Sequence, residues 1–211
     1  ILAIVDSEMM ASAPRSLKVA TGLDALTHAI EGYTTAGAWE LSDLFHLKAI
    51  QVIAGALRGA AEGDPAAAER MALGQYVAGM GYSNVGLGLV HAMAHPLGAF
   101  YSAPHGVANG ILLAPVMAFN AEATGEKFRD IAAAFGVDVS GMSTEAARTA
   151  AVDAVAALTR DLGNPVTLRE IGAKESDIPA LAQAAFDDVC AGGNPRPATV
   201  AEIEELYRAL Y

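Results

Sequence analysis

Three of the chain's five histidines, His91, His95 and His105, fall within GLGLVHAMAHPLGAFYSAPHG, residues 86–106, a stretch with no Asp, Glu, Lys or Arg. A neutral imidazole is a good ligand for a divalent cation and brings no charge of its own. His91 and His95 are four residues apart, so on a helix they share one face with about 5–6 Å between their Cβ atoms. Asp24 and His28 repeat that relation in GLDALTHAIEGY, and His105 follows beyond the YSAP break. Imidazoles with a carboxylate suit Fe²⁺ or Zn²⁺. Three neutral histidines and one aspartate leave a divalent ion with a net charge near +1, which a bound alkoxide would cancel, whereas further carboxylates would blunt its acidity.

Spacing alone does not choose which four groups bind, and the pattern is not the HExxH of metalloproteases. Any one histidine taken singly also reads as a packed or surface residue. His46, with Asp43 and Lys48 nearby, reads as a surface or packing histidine. Cys190 ends AFDDVC before AGGNPRP. A packed small thiol is its default reading, and a place beside a substrate or nicotinamide pocket is the alternative. Tyr82 has the same two readings.

The elements that must position these groups read as helices almost throughout. ILAIVD at the start reads as a short buried strand, and a chain that begins inside a strand is expected to have lost what preceded it. Pro14 can open a helix, and Thr21 with Asp24 resembles a capping box. Leu44, Leu47, Ile50, Ile53, Ala54 and Leu57 recur at helical spacing, and GDP at 63–65 ends one helix and starts the next, with Asp64 as cap and Pro65 in first position. Further helices are expected over about 66–82, 86–100, 105–120, 125–135, 144–161, 178–190 and 199–210. Pro96 inside one of them should kink it or strain its hydrogen bonding. Every histidine lies in the first half, so the second half is expected to pack against that half or close over it.

Composition narrows the classes. With 13 Lys and Arg against 24 Asp and Glu, the net charge of −11 opposes a nucleic-acid partner. No charged residue occurs from Met71 to Ala121, yet Gly, Asn, His, Gln and Pro interrupt that stretch too often for a membrane span. The single cysteine fits a reducing compartment, and a cytoplasmic protein is expected. A hydrophobic fraction of 53% and a mean hydropathy of +0.33 suggest surface buried against itself or a partner, so a homodimer is expected of the intact protein.

GLDALTHAIEGYTT and GLGLVHAMAHPLGAFYSAPHGVANGILLAPVMAFN resemble the two signature regions of the iron-containing, group III alcohol dehydrogenases, and the likeness continues through DLFHLKAIQVIAGALRG, MALGQYVAGMGYSNVG and ALAQAAFDDVCAGGNPRPAT. The resemblance implies an all-α fold: residues 1–211 form one helical metal-binding domain of the dehydroquinate synthase-like type, with the opening strand left from an α/β NAD-binding domain outside this chain. Carried over by position, the metal ligands are Asp24, His28, His91 and His105. His95 becomes a catalytic residue facing nicotinamide and substrate, either relaying a proton or orienting a neighbour. The implied reaction is hydride exchange between a small alcohol or diol and NAD⁺, assisted by Fe²⁺, with Zn²⁺ as a substitute. Glycerol- or butanol-dehydrogenase-like chemistry, or a helical metal-binding module without catalysis, are the alternatives. The 211 residues alone are expected to be inactive, since hydride transfer needs the cofactor held within about 3–3.5 Å of the substrate carbon.

Overall fold

The computed structural model describes residues 2–211. Pro14, whose ring fixes φ, caps the first long helix, α1 (Arg15–Thr34). The helix begins there rather than at Thr21, which lies inside it and donates its hydroxyl to the Leu17 carbonyl at 2.9 Å. The capping box expected at Thr21 is therefore absent. Two stripes run along α1. Val19, Leu23, Leu26 and Ile30 are buried in the core, each contributing about 1.5–3 kcal/mol. Asp24, His28 and Glu31, at i, i+4 and i+7, form the other.

Helices α2 (Glu40–Ala61) and α3 (Pro65–Tyr82) pair as a hairpin. Asp64 accepts from the Ala66 N–H at 2.9 Å and Pro65 takes the first helical position. The buried stripe of α2 runs through His46, Ile50, Ile53 and Leu57. Leu44, expected on that face, is 69% exposed because it falls off the stripe.

Helices α4 (Leu89–Tyr101) and α5 (His105–Asn120) follow. α4 starts three residues later than expected because Gly86, at φ +86°, and Gly88 precede it in non-helical conformation. Pro96 lies inside α4, where it has no N–H for the Ala92 carbonyl. α5 closes directly onto α1 at Gly106, where any Cβ would run into the Ala20 backbone. That contact brings His105 against Asp24.

The remaining helices are α6 (Lys127–Ala134), α7 (Thr144–Asp161), α8 (Ile178–Phe186) and α9 (Val200–Ala209). α8 packs on α4 and α9 packs on α8, so the second half backs the helix that carries His91 and His95. α8 ends at Phe186, short of residue 190, and a 3-10 turn, Val189–Gly193, replaces its expected last turn. Asp188 caps that turn by accepting the Cys190 N–H at 2.8 Å.

The expected opening strand is not formed. Ile1 lies outside the described residues, and residues 2–6 have no strand partner among the described residues, with Leu2 and Ile4 more than 80% exposed. A strand needs a neighbour for its backbone hydrogen bonds, and no other strand exists among the described residues to supply one. No described helix is long and apolar enough to cross a membrane.

Candidate metal centre

Three helices converge on one point. α1 supplies Asp24 and His28, α4 supplies His91, and the first residue of α5 is His105. His105 Nε2 lies 3.3 Å from Asp24 Oδ1, and His91 Nε2 lies 3.7 Å from the same oxygen. Ligands about 2.0–2.1 Å from a tetrahedral ion stand about 3.3 Å apart, so these spacings match a shared cation. His28 completes the ring less tightly. Its Nδ1 is 3.7 Å from Asp24 Oδ2 and its ring centroid 4.5 Å from that of His91. Asp24, His91 and His105 form a cluster with donor atoms all within 4.8 Å of one another, and His28 stands beside it; His95, Asp188 and Cys190 form a second such cluster.

Asn109, one turn along α5 from His105, points its amide nitrogen into this focus. Nδ2 donates to Asp24 Oδ1 at 2.7 Å and lies 3.2 Å from His105 Nε2 and 3.4 Å from His91 Nε2. Its Oδ1 is buried without a partner among the described residues. The amide nitrogen thus sits among one carboxylate oxygen and two imidazole nitrogens, the set of atoms a cation would also draw together.

The electrostatics follow from burial and carboxylates. Burial pulls His28 down to about 4 against the attraction of Asp24, and it also lowers His105. His91 is buried too, but hydrogen bonding to Asp24 and Glu31 outweighs desolvation and raises it to about 9. Asp24 is lowered, because burial is overcome by His91 and the other imidazoles. A cation here would replace a proton shared in this cluster.

The second carboxylate, Glu31, was not expected. It is 5% exposed, and its Oε2 meets His91 Nδ1 at 2.5 Å. Oε1 accepts the Val90 N–H at 2.6 Å. The account of one aspartate among neutral histidines is thereby corrected: a further carboxylate is present, but on the far side of the His91 ring from the donor cluster. In AIEGY a glutamate reads as a helix surface residue, and no periodic signal ties it to a helix 60 residues on.

His95 lies one turn beyond His91 and is 43% exposed in its side chain. Its Nδ1 pairs with Asp188 Oδ2 at 2.8 Å, and its ring stacks on His105 with centroids 5.5 Å apart. Cys190 is half-buried beside this pair, a thiol pushed up to about 12 by burial and then by Asp188. Tyr82 stacks on His28 at 4.4 Å. A cleft of about 630 Å³ runs along this side, lined by Asp24, His28, Tyr82, Thr21 and the segment around Asp6. His46 lies apart, fully buried in the α1–α2–α3 core. Packing, not the surface, is its role.

The family described as Fe-containing alcohol dehydrogenase, C-terminal, matches residues 18–211. Lactaldehyde reductase of Escherichia coli (strain K12) is 66% identical over 210 residues, covering 100% of this chain and 55% of the relative. The NAD-dependent methanol dehydrogenase of Bacillus methanolicus is 44% identical, covering 98% of this chain and 55% of that protein. Among solved structures, 1,3-propanediol oxidoreductase superposes with a TM-score of 0.96 at 42% identity, covering 98% of this chain and 55% of that one. An alcohol dehydrogenase from Oenococcus oeni does so at 0.95 with 35% identity, covering 98% and 54%. The chain spans about half the length of these relatives. With the fold superposing and nearly the whole length of the chain matched, this chain belongs to the iron-containing alcohol dehydrogenase family and corresponds to its C-terminal helical region.

Proposed function

We propose that this chain is the metal-bearing half of an NAD(H)-linked alcohol dehydrogenase, with Fe²⁺ held by Asp24, His28, His91 and His105 and Zn²⁺ able to take the same place. The observation that carries this is the convergence of His91 Nε2 and His105 Nε2 on one oxygen of Asp24, at 3.7 and 3.3 Å, from three separate helices. A divalent cation supplies Lewis acidity, easing loss of a substrate hydroxyl proton and polarising a carbonyl.

The chain's own residues then have distinct work. His91 is held rigidly within the core, while His105, 42% exposed in its side chain, stands at the mouth. Asp188 grips His95 by Nδ1, which leaves Nε2 free to take or return a proton between substrate and solvent. Tyr82, stacked on His28, walls the cleft, and Cys190 borders the His95 side as a thiol. The NAD(H) site belongs to an α/β domain that the longer relatives have room for and this helical region does not supply. A small diol or its aldehyde is the substrate class, and 1,2-propanediol with lactaldehyde is the first pair to test, given the relative at 66% identity. A homodimer working in the cytoplasm completes the reading, in line with a high apolar fraction and a single free cysteine.

The test measures metal content and turnover separately. The purified protein should hold one equivalent of Fe²⁺ or Zn²⁺ that His91→Ala abolishes. NAD⁺-dependent oxidation of 1,2-propanediol should appear with the NAD-binding domain present and vanish with the 211 residues alone. Absence of bound metal in the intact protein, or turnover by these residues alone, would overturn the assignment.

A further inference from the structure

We infer that Glu31 is a positioning residue that sets which nitrogen of His91 faces the cation and ties that choice to the start of α4. The inference rests on the metal reading above.

The first backbone N–H groups of any α-helix lack intrahelical partners. The N-cap of α4 is Gly88, which offers no side chain to cap them. They are served from elsewhere in the fold: Val90 N–H by Glu31 Oε1 at 2.6 Å, and Leu89 N–H by Asn194 Oδ1 at 3.2 Å. A Cβ at position 88 would come within 2.9 Å of Glu31 Oε1 and 3.1 Å of Asn194 Oδ1, so glycine there admits both acceptors. The other Glu31 oxygen meets His91 Nδ1 at 2.5 Å, with the pair at 5% and 2% side-chain exposure.

Glu31 Oε2 holds Nδ1, which makes Nδ1 the nitrogen turned away from the donor cluster. Nε2 is the atom turned toward Asp24 Oδ1 and the cluster with His105, so with an ion in place Nε2 would give its lone pair and Nδ1 would keep the proton facing Glu31. A ligating histidine whose second nitrogen donates to a carboxylate is fixed in tautomer and ring orientation and made more basic. Here one side chain does this and also caps the helix that bears the ligand. Asn194 shares the capping and touches neither nitrogen of His91, so the two roles can be separated by substitution.

In the purified protein, Glu31→Gln keeps an oxygen for Val90 N–H but turns an amide donor, or a weaker acceptor, toward Nδ1. Zn²⁺ affinity, read by competition with a chromogenic chelator, should fall about 10- to 100-fold, with the thermal midpoint of the metal-free protein near that of the parent. Asn194→Ala should do the reverse, lowering the midpoint and leaving Zn²⁺ affinity within about twofold. Should Glu31→Gln fail to fold, ¹⁵N NMR of the Zn²⁺-loaded parent decides the matter, and His91 is expected to keep a protonated Nδ1. Parent-like Zn²⁺ affinity in Glu31→Gln, equal weakening in Asn194→Ala, or an unprotonated Nδ1 would each overturn the inference while leaving the metal site standing. A parent protein that binds no Zn²⁺ at all would instead remove the metal reading on which it depends.

Discussion

His91 and His46 are both shut off from solvent, at 1% and 0% exposure, yet their surroundings drive them apart. His91 lies where α1, α4 and α5 meet, with Asp24 toward one nitrogen and Glu31 on the other, and it is raised to about 9 although burial opposes this. His46 lies where α1, α2 and α3 meet, with neither ring nitrogen finding a hydrogen-bond partner among the described residues. Burial, and then the charge of Lys127, lower it to about 4, and the Ser42 carbonyl one turn back offsets little because it makes no well-formed bond. Burial alone therefore does not set a histidine's chemistry. The carboxylates that face its ring do.

The largest effect should come from removing His91. On the proposed four-ligand site, with an ion bound by about 10–16 kcal/mol as at structural zinc sites, one ligand carries roughly 3 kcal/mol, so His91→Ala should weaken Zn²⁺ or Fe²⁺ binding by more than about 100-fold. His46→Leu, equally buried, should leave the metal content of the purified protein unchanged by elemental analysis. Equal loss in both variants would break the contrast drawn above.

Acid should find His46 next. The unfolded residue titrates near 6.5 and the folded one near 4. Below pH 6.5 the unfolded chain takes up a proton that the folded chain refuses, so this contribution is complete above pH 6.5 and is lost as the pH falls toward about 4. The difference amounts to up to about 3 kcal/mol at roughly 1.4 kcal/mol per unit. His28 contributes with the same sign, so the informative quantity is the difference between parent and His46→Leu in denaturant-derived stability at pH 7 and pH 4.5. An identical slope in both would place the proton uptake elsewhere.

A smaller effect should follow from crowding the same pocket. A Cβ at Gly32 or at Gly81 would collide with the His46 ring, and overpacking of this kind costs about 1–3 kcal/mol. Gly32→Ala should lower the melting temperature by several degrees, at about 2–4 °C per kcal/mol for a chain of this size. In Gly32→Ala with His46→Ala, the total loss should fall short of the sum, because the vacated ring leaves room for the new methyl. Strict additivity would mean that the glycine is required for some other reason.

What could be read from the sequence divides along the same lines. Local chemistry was plain: Asp64 and Pro65 open α3 as their types require, and the bounds 105–120 and 144–161 match α5 and α7. The i, i+4 pairing of Asp24 with His28 also followed from helical spacing alone. The burial of His46 was available too, since it shares a stripe with Ile50, Ile53 and Leu57, but a charged neighbourhood in sequence, Asp43 and Lys48, obscured it. Glu31, Asn109 and Asp188 were not legible. Each acts through a partner on another helix or turn, and nothing in the spacing of one helix reports which residue of another will face it. ILAIVD failed for the complementary reason, because strand propensity means little until a second strand is there to pair with it.

The least expected cost lies behind the centre rather than in it. Tyr207 on α9 is fully buried and donates its hydroxyl to the Met93 carbonyl of α4 at 2.6 Å. Burial pushes the phenol well above its usual range, so it remains a donor throughout. In an α-helix the Leu97 N–H still reaches the Met93 carbonyl, so Tyr207→Phe strands no acceptor and should cost only about 1 kcal/mol. Metal affinity should stay within about twofold, because the start of α4 is fixed from the other side by Glu31 and Asn194. A tenfold loss of Zn²⁺ affinity in Tyr207→Phe would show that His91 is aimed from behind as well, and that the carboxylate contrast between the two buried histidines explains only part of how His91 is set for the proposed site.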